Sequence, residues 1–124
     1  MSGRKNALKQ FQMITAGAMV GNLVSLVTNI ENLDNIGIQA NVVSGTPTGV
    51  LAVQISADYN AVNGVVLNAG NWITLPAASQ AITSGSPANT YFDLNQLSSM
   101  WIRLIYTATS SSGSLNAFIV GKML

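Results

Sequence analysis

Between Asn35 and Val43 the chain alternates almost without a break. Ile36, Ile38, Ala40 and Val42 fall on one side; Gly37, Gln39 and Asn41 fall on the other. A period of two is the signature of a strand with one buried face, because successive side chains leave a pleated backbone in opposite directions. The pattern recurs over Val50–Ala57, with Leu51, Val53 and Ile55 opposite Ala52, Gln54 and Ser56, and again over Trp101–Ala108 and Ser114–Val120. A chain built this way must stack sheet on sheet to cover its apolar faces.

The segments between are punctuated by turn formers. Ser44–Gly49 and Ser110–Gly113 read as tight turns, and the strands after them start in one register: Gly49, Leu51, Val53 and Ile55 match Gly113, Leu115, Ala117 and Ile119. This weak internal echo predicts two similar hairpins. Asp58–Asn71 reads as loop-rich, with turns at Asn63-Gly64 and Ala69-Gly70. A short strand over Asn71–Leu75 is expected to stop at Pro76, an exposed excursion to follow over Ala77–Asn89, and a last short strand to cover Thr90–Leu94. Met13–Ile30 offers Ile14-Ala16-Ala18 and then Leu23-Ser25-Val27 as period-two faces around a Gly21-Asn22 turn, with a helix over Leu23–Leu33 as the alternative. The sum is about eight strands with a turn every 8–12 residues, which predicts an all-β, single-domain antiparallel sandwich of the jelly-roll kind. Residues 1–12 read as a short basic arm and residues 13–124 as the sandwich domain.

Charge is where this chain departs from ordinary domains. Charged residues make up 7% of it, against roughly 25% in typical soluble domains, while Ser, Thr, Asn and Gln together number 41. Hydrophobic residues reach 48%, enough for a core without staples. Arg4, Lys5 and Lys9 crowd the start, leaving Arg103 and Lys122 against Glu31, Asp34, Asp58 and Asp93 in the rest. A nucleic-acid face needs clustered cations, so none is expected. Gln12–Ile30 is uncharged and nearly long enough to span a bilayer, but two asparagines and scattered glycines argue against insertion, and no membrane span is expected.

Catalytic chemistry finds little to work with. The chain has no histidine and no cysteine, which removes imidazole bases, thiolate nucleophiles and zinc ligands. Asp58 and Asp93 are the one conceivable carboxylate pair, and nothing in their spacing brings them together. Glu31, Asn32, Asp34 and Asn35 gather oxygens without the glycine and distal glutamate of a calcium loop, and read as a polar turn. No cofactor is expected, and the chain does not read as an enzyme.

Contact residues are the better candidates. Tyr59, Trp72, Tyr91, Phe92, Trp101, Tyr106 and Phe118 lie in or beside alternating strands and are expected chiefly in the core. If Ile102 points inward, however, Trp101 and Arg103 share the outer face and become an interface pair. The basic arm, with Arg4, Lys5 and Lys9, reads either as a disordered tail kept soluble by its charge or as an arm that reaches over a neighbouring subunit and orders there, with Phe11 and Met13 as anchors in that neighbour's groove.

The runs Leu33-Asp34-Asn35-Ile36-Gly37-Ile38-Gln39 and Val53-Gln54-Ile55-Ser56-Ala57-Asp58-Tyr59, the pair Asn71-Trp72 and the stretch from Trp101 to Lys122 resemble small virion structural proteins of bacteriophages. The resemblance covers the chain from about Thr28 onward and leaves out the basic start. It implies a β-sandwich subunit present in many copies on a capsid, tail or fibre, or decorating one, and brings no catalytic residues with it. The expected partners are other copies of the chain and other virion proteins, and the expected location is the virion, assembled in the host cytoplasm. A carbohydrate-binding or adhesin-type sandwich is the alternative, with a glycan held on Tyr59, Trp72 or Trp101.

Overall fold

The computed structural model describes residues 8–95 and 97–123. They form eleven strands: β1 (Leu8–Ala18), β2 (Leu23–Val24), β3 (Thr28–Asn29), β4 (Leu33–Ser44), β5 (Thr48–Ser56), β6 (Asn60–Val62), β7 (Val65–Asn68), β8 (Ile73–Ile82), β9 (Asn89–Leu94), β10 (Trp101–Ser110) and β11 (Ser114–Met123). One sheet has the order β1-β11-β4-β9; the other runs β2-β10-β5-β8, with β3 also on β10. If β2 and β3 count as one interrupted strand and the β6–β7 hairpin is set aside, the antiparallel pairings nest: β1 with β11, β2/β3 with β10, β4 with β9, β5 with β8. Eight strands folded back on themselves in this way make the double-sheet jelly roll. Among the described residues no helix is long and apolar enough to cross a membrane.

The predicted inward residues fill the space between the sheets. Ile38 lies opposite Ile119, Leu104 opposite Val53, and Tyr106 opposite Leu51, all of them fully buried. Burying each such side chain contributes about 1.5–3 kcal/mol, which is what drives the two sheets together.

Four expectations change. The two echoing segments are not hairpins, since β4 and β5 belong to different sheets, as do β10 and β11. Gly45 (φ +80°) and Gly113 (φ +87°) turn corners that carry the chain from one sheet to the other, and a Cβ on Gly45 would sit 2.5 Å from the Gly113 Cα. Because β4 pairs β11 and β5 pairs β10, the two corners lie side by side, and Thr46 N donates to Ser112 Oγ between them (3.0 Å). Second, β8 passes straight through Pro76, which is tolerated because β8 is an edge strand with a bulge there: Ala52 and Gln54 pair with Ser79 and Thr74. Third, register shifts in β1 on either side of Ile14 bury Met13 and Ile14 and leave Ala16 and Ala18 exposed, replacing the expected Ile14-Ala16-Ala18 face. Fourth, β1 begins at Leu8, so the expected arm boundary at residue 12 falls inside a strand paired with β11.

Residues 25–27 explain why β2 and β3 are separate. Three residues here oppose two on β10, so the strand bulges. Ser25 pins the bulge: its backbone N donates to Leu104 O (2.9 Å), and its Oγ accepts from Leu104 N (2.8 Å) and donates to Leu26 O (2.9 Å). Leu26 is thereby freed to turn to the other sheet, where its N donates to Met13 O (3.1 Å).

Candidate functional site

The segment after β5 carries the most unusual surface. Asn63 (φ +52°) and Gly64 (φ +80°) close the β6–β7 hairpin with positive φ at both central positions, the turn whose twist matches two antiparallel strands. Val62, Val65, Val66 and Leu67 on this hairpin are all more than half exposed. A two-stranded hairpin has no second layer to cover it and is marginal in water by itself. This one is held at its neck. The Asp58 carboxylate accepts from Asn71 N (2.7 Å), Asn71 Nδ2 (2.7 Å) and Ser56 Oγ (2.9 Å). Those bonds, the Asn71 backbone amide first, hold its pKa below the usual aspartate value.

Beside the neck stands an aromatic cluster on the outer face of the β2-β10-β5-β8 sheet. Tyr59 lies 5.5 Å from Trp72 and 4.9 Å from Trp101, centroid to centroid, in tilted and edge-to-face contacts. Trp72 Nε1 donates to Ala69 O (3.0 Å). The Arg103 guanidinium sits 4.3 Å over the Trp72 ring, and its Nε donates to Gln54 Oε1 (2.8 Å). Partial burial lowers the Arg103 pKa, yet an arginine stays charged throughout the working range. These ring–ring and cation–ring contacts fix the loop from Asp58 to Trp72 against β10.

A second surface lies where β1 faces the β2–β3 bulge. Gln10, Phe11 and Gln12 on one side and Leu26, Val27, Thr28 and Asn29 on the other line a groove of about 570 Å³. Leu26 is 69% exposed, and among the described residues no charged side chain lines the groove. A third surface, the outer face of the β1-β11-β4-β9 sheet, is paved with amides. Gln39 donates to Asn41 (3.0 Å) and Asn41 to Asn89 (2.7 Å), beside exposed Tyr91, whose hydroxyl lies directly over Gly37.

The expected contact residues scatter over these surfaces. Trp101 and Arg103 do share the outer face, with Ile102 buried beneath them. Lys9 and Phe11 lie on β1 and are exposed, Phe11 at the groove. Met13, expected to anchor in a neighbour, is 2% exposed in the core of its own chain because the bulge turns it inward. Arg4 and Lys5 lie outside the described residues. Of the aromatics expected in the core, Phe92 and Tyr106 are there, while Tyr59, Trp72, Trp101, Tyr91 and Phe118 face outward or stay partly covered. Asp58 and Asp93 sit apart, Asp58 at the neck after β5 and Asp93 on β9 in the other sheet. Glu31 and Asn32 turn the chain into β4, which takes up Asp34 and Asn35. The hairpin itself went unread as a contact element, although Asn63-Gly64 between short apolar runs is its signal.

No protein-family model matches this chain, and no curated protein matches it in sequence. Its architecture does recur among solved structures. The crystal structure of the SPBc2 prophage-derived protein YomS aligns with a TM-score of 0.60 at 8% identity, covering 98% of this chain and 99% of that one. The fold is shared. A subunit of the disulfide-linked pili of Bacillus endospore appendages aligns at a TM-score of 0.44 and 13% identity, over 100% of this chain and 96% of that one. A chain of the infectious bursal disease virus Gt strain aligns at 0.36 and 10%, over 94% of this chain and 30% of that one. Of these three, the YomS likeness bears on the architecture, and at 8% identity it bears on nothing else.

Proposed function

We propose that this chain is a structural virion protein of a bacteriophage, working by protein–protein contact in many copies and not by catalysis. One observation carries the reading: the β6–β7 hairpin holds four large aliphatic side chains in solvent, on a segment from Tyr59 to Phe92 that contains no charge. Exposed apolar surface of this kind marks a site that another protein covers. Its lack of charge suits burial, since each ion taken into an interface costs several kcal/mol in lost hydration. The shared fold with a prophage-derived protein along the full length of both chains supports a phage setting. Copies of itself and other virion proteins are the partners, and the particle is the location.

Mass photometry and negative-stain imaging of the purified chain, alone and with other components of the same particle, test this. Discrete oligomers or decorated particles are expected. A chain that stays monomeric and binds none of those components would refute it.

A carbohydrate-binding module is the rival reading, and what favours it is Tyr91, exposed among the amides of Gln39, Asn41 and Asn89. The aromatic cluster of Tyr59, Trp72 and Trp101 instead packs against itself and Arg103. Glycan-array binding abolished by Tyr91→Ala, in a chain that remains folded, would promote the rival.

A further inference from the structure

The four strands at the edges of the two large sheets are protected very unequally. β8 carries Pro76 and a wide register shift, β9 is six residues long and follows Pro87, and β2/β3 is broken into two pieces of two residues. Proline, bulges and shortness are the ordinary ways of keeping an edge from pairing with another chain. β1 has eleven residues, no proline, and one charged side chain, Lys9. At Met13 its outer side is taken by Leu26 N, which leaves Leu8–Gln12 without a strand partner beyond β11 among the described residues. This stretch borders the groove that Phe11, Leu26 and Val27 line.

The same chain carries a matching piece. Among the described residues β7 pairs with β6 only, so its outer edge is open, and every residue of it is exposed. Its four residues span about 13 Å and the open stretch of β1 about 17 Å, so one fits along the other. We propose that β7 of one copy adds as a strand to the Leu8–Gln12 edge of β1 in a second copy, with its aliphatic side chains packed against Phe11 and Leu26. The proposal rests on the assembly reading above and names its partner surface. Charge selects this occupant over a generic one. Among the described residues the groove has no charged lining and the hairpin has no charge. Exposed Lys9, the one cation on the open stretch of β1, can keep its ammonium in water on its long stem, so joining need not strip water from an ion. Strand addition supplies backbone hydrogen bonds, and the alternate side chains supply fit. Because the two surfaces differ, the contact is head-to-tail and every copy offers one of each; such contacts close into rings or run on as filaments.

Two variants test it by complementation. Leu26→Asp spoils the groove, and Val65→Asp with Val66→Asp spoils both faces of the hairpin strand; all three residues are exposed, so the folded chain survives, as circular dichroism verifies. Each variant alone is expected to run as a monomer. Their equimolar mixture is expected to give a one-to-one heterodimer and nothing larger, since only one intact groove and one intact hairpin can meet. Wild-type-like assembly by either variant alone, or failure of the mixture to pair, overturns the inference while leaving assembly through another surface standing. A wild-type chain that is itself monomeric removes both readings. The chain has no cysteine, so Leu26→Cys can be combined cleanly with Val65→Cys or with Val66→Cys, which are consecutive in the regular part of the β6–β7 register. Oxidation is expected to give a disulfide-linked ladder with one of these pairs and not the other, because neighbouring residues of a strand point to opposite faces. Equal ladders, or none, would count against strand addition.

Discussion

Ser25→Ala tests whether the bulge between β2 and β3 is held as described. Ser25 is buried, and its hydroxyl is the acceptor for Leu104 N at the centre of β10. Without it, the Leu104 amide stays buried with no partner, at a cost of about 1–3 kcal/mol. The other lost bond, to Leu26 O, should add little, because Leu26 is exposed and water can serve its carbonyl. Nor can water replace the missing hydroxyl, since the space vacated by one oxygen atom is too small to admit one. The expected loss is therefore about 2 kcal/mol. For a chain of this size that is a fall in Tm of roughly 6–10 °C. In urea, with a slope near 1.5 kcal/mol/M, the midpoint should drop by about 1.3 M. Thermal and urea unfolding, followed by far-ultraviolet circular dichroism and by the fluorescence of Trp72 and Trp101, would measure both. A loss below about 0.5 kcal/mol would mean that the hydroxyl does not serve the Leu104 amide. As the bulge also turns Leu26 toward β1, the variant should weaken self-association along with stability.

The Tyr106 hydroxyl makes the opposite case: it is buried with no hydrogen-bond partner, and burial pushes its pKa up. Tyr106→Phe should leave stability unchanged or raise it by up to about 1 kcal/mol in the same urea titration. Gly113→Ala should destabilise by about 1–3 kcal/mol, because the corner needs φ +87° and the new methyl would run into Ser44 O. The lowered pKa of Asp58 sets the sign of an acid effect. Its stabilising contribution is complete above the ordinary aspartate pKa of 3.8 and disappears as pH falls through the lower folded value. Amide exchange over residues 60–70, corrected for its intrinsic pH dependence, should therefore accelerate at the acid end, and Asp58→Asn should show the acceleration already at neutral pH.

Legibility in the sequence followed the simplicity of the backbone. β4, β10 and β11 could be read because their inward residues keep a strict period of two against partners that do the same. β1 could not, because two register shifts within a few residues put Met13 beside Ile14 in the core, and no alternation predicts consecutive buried side chains. Glycine at residues 45 and 113 announced turns, but a positive φ serves a hairpin and a sheet-switching corner equally, so the partners of β4 and β5 were hidden. Pro76 misled for a related reason: it stops a central strand, and only the tertiary fold makes β8 an edge. The outward placement of Trp101 and Arg103 followed from Ile102 alone. Their stacking with Tyr59 and Trp72 did not, since it depends on a loop returning to β10 from across the neck.

The nested pairing of the strands also orders how the chain can acquire its structure. Ile55 and Ile73, in the innermost pair, are eighteen residues apart, while Leu8 and Lys122, in the outermost, are separated by 114. Bringing the outer pair together from an open chain costs about 1.6 kcal/mol more in closure entropy than bringing the inner one together. Once β5 and β8 have met, each further pair closes only the small extra loop left by the pair inside it. Folding should then proceed as a zipper from the middle of the sequence toward both ends, on the slow timescale typical of architectures dominated by distant contacts. β1 comes last, and its edge is completed only when the rest of the body is already in place.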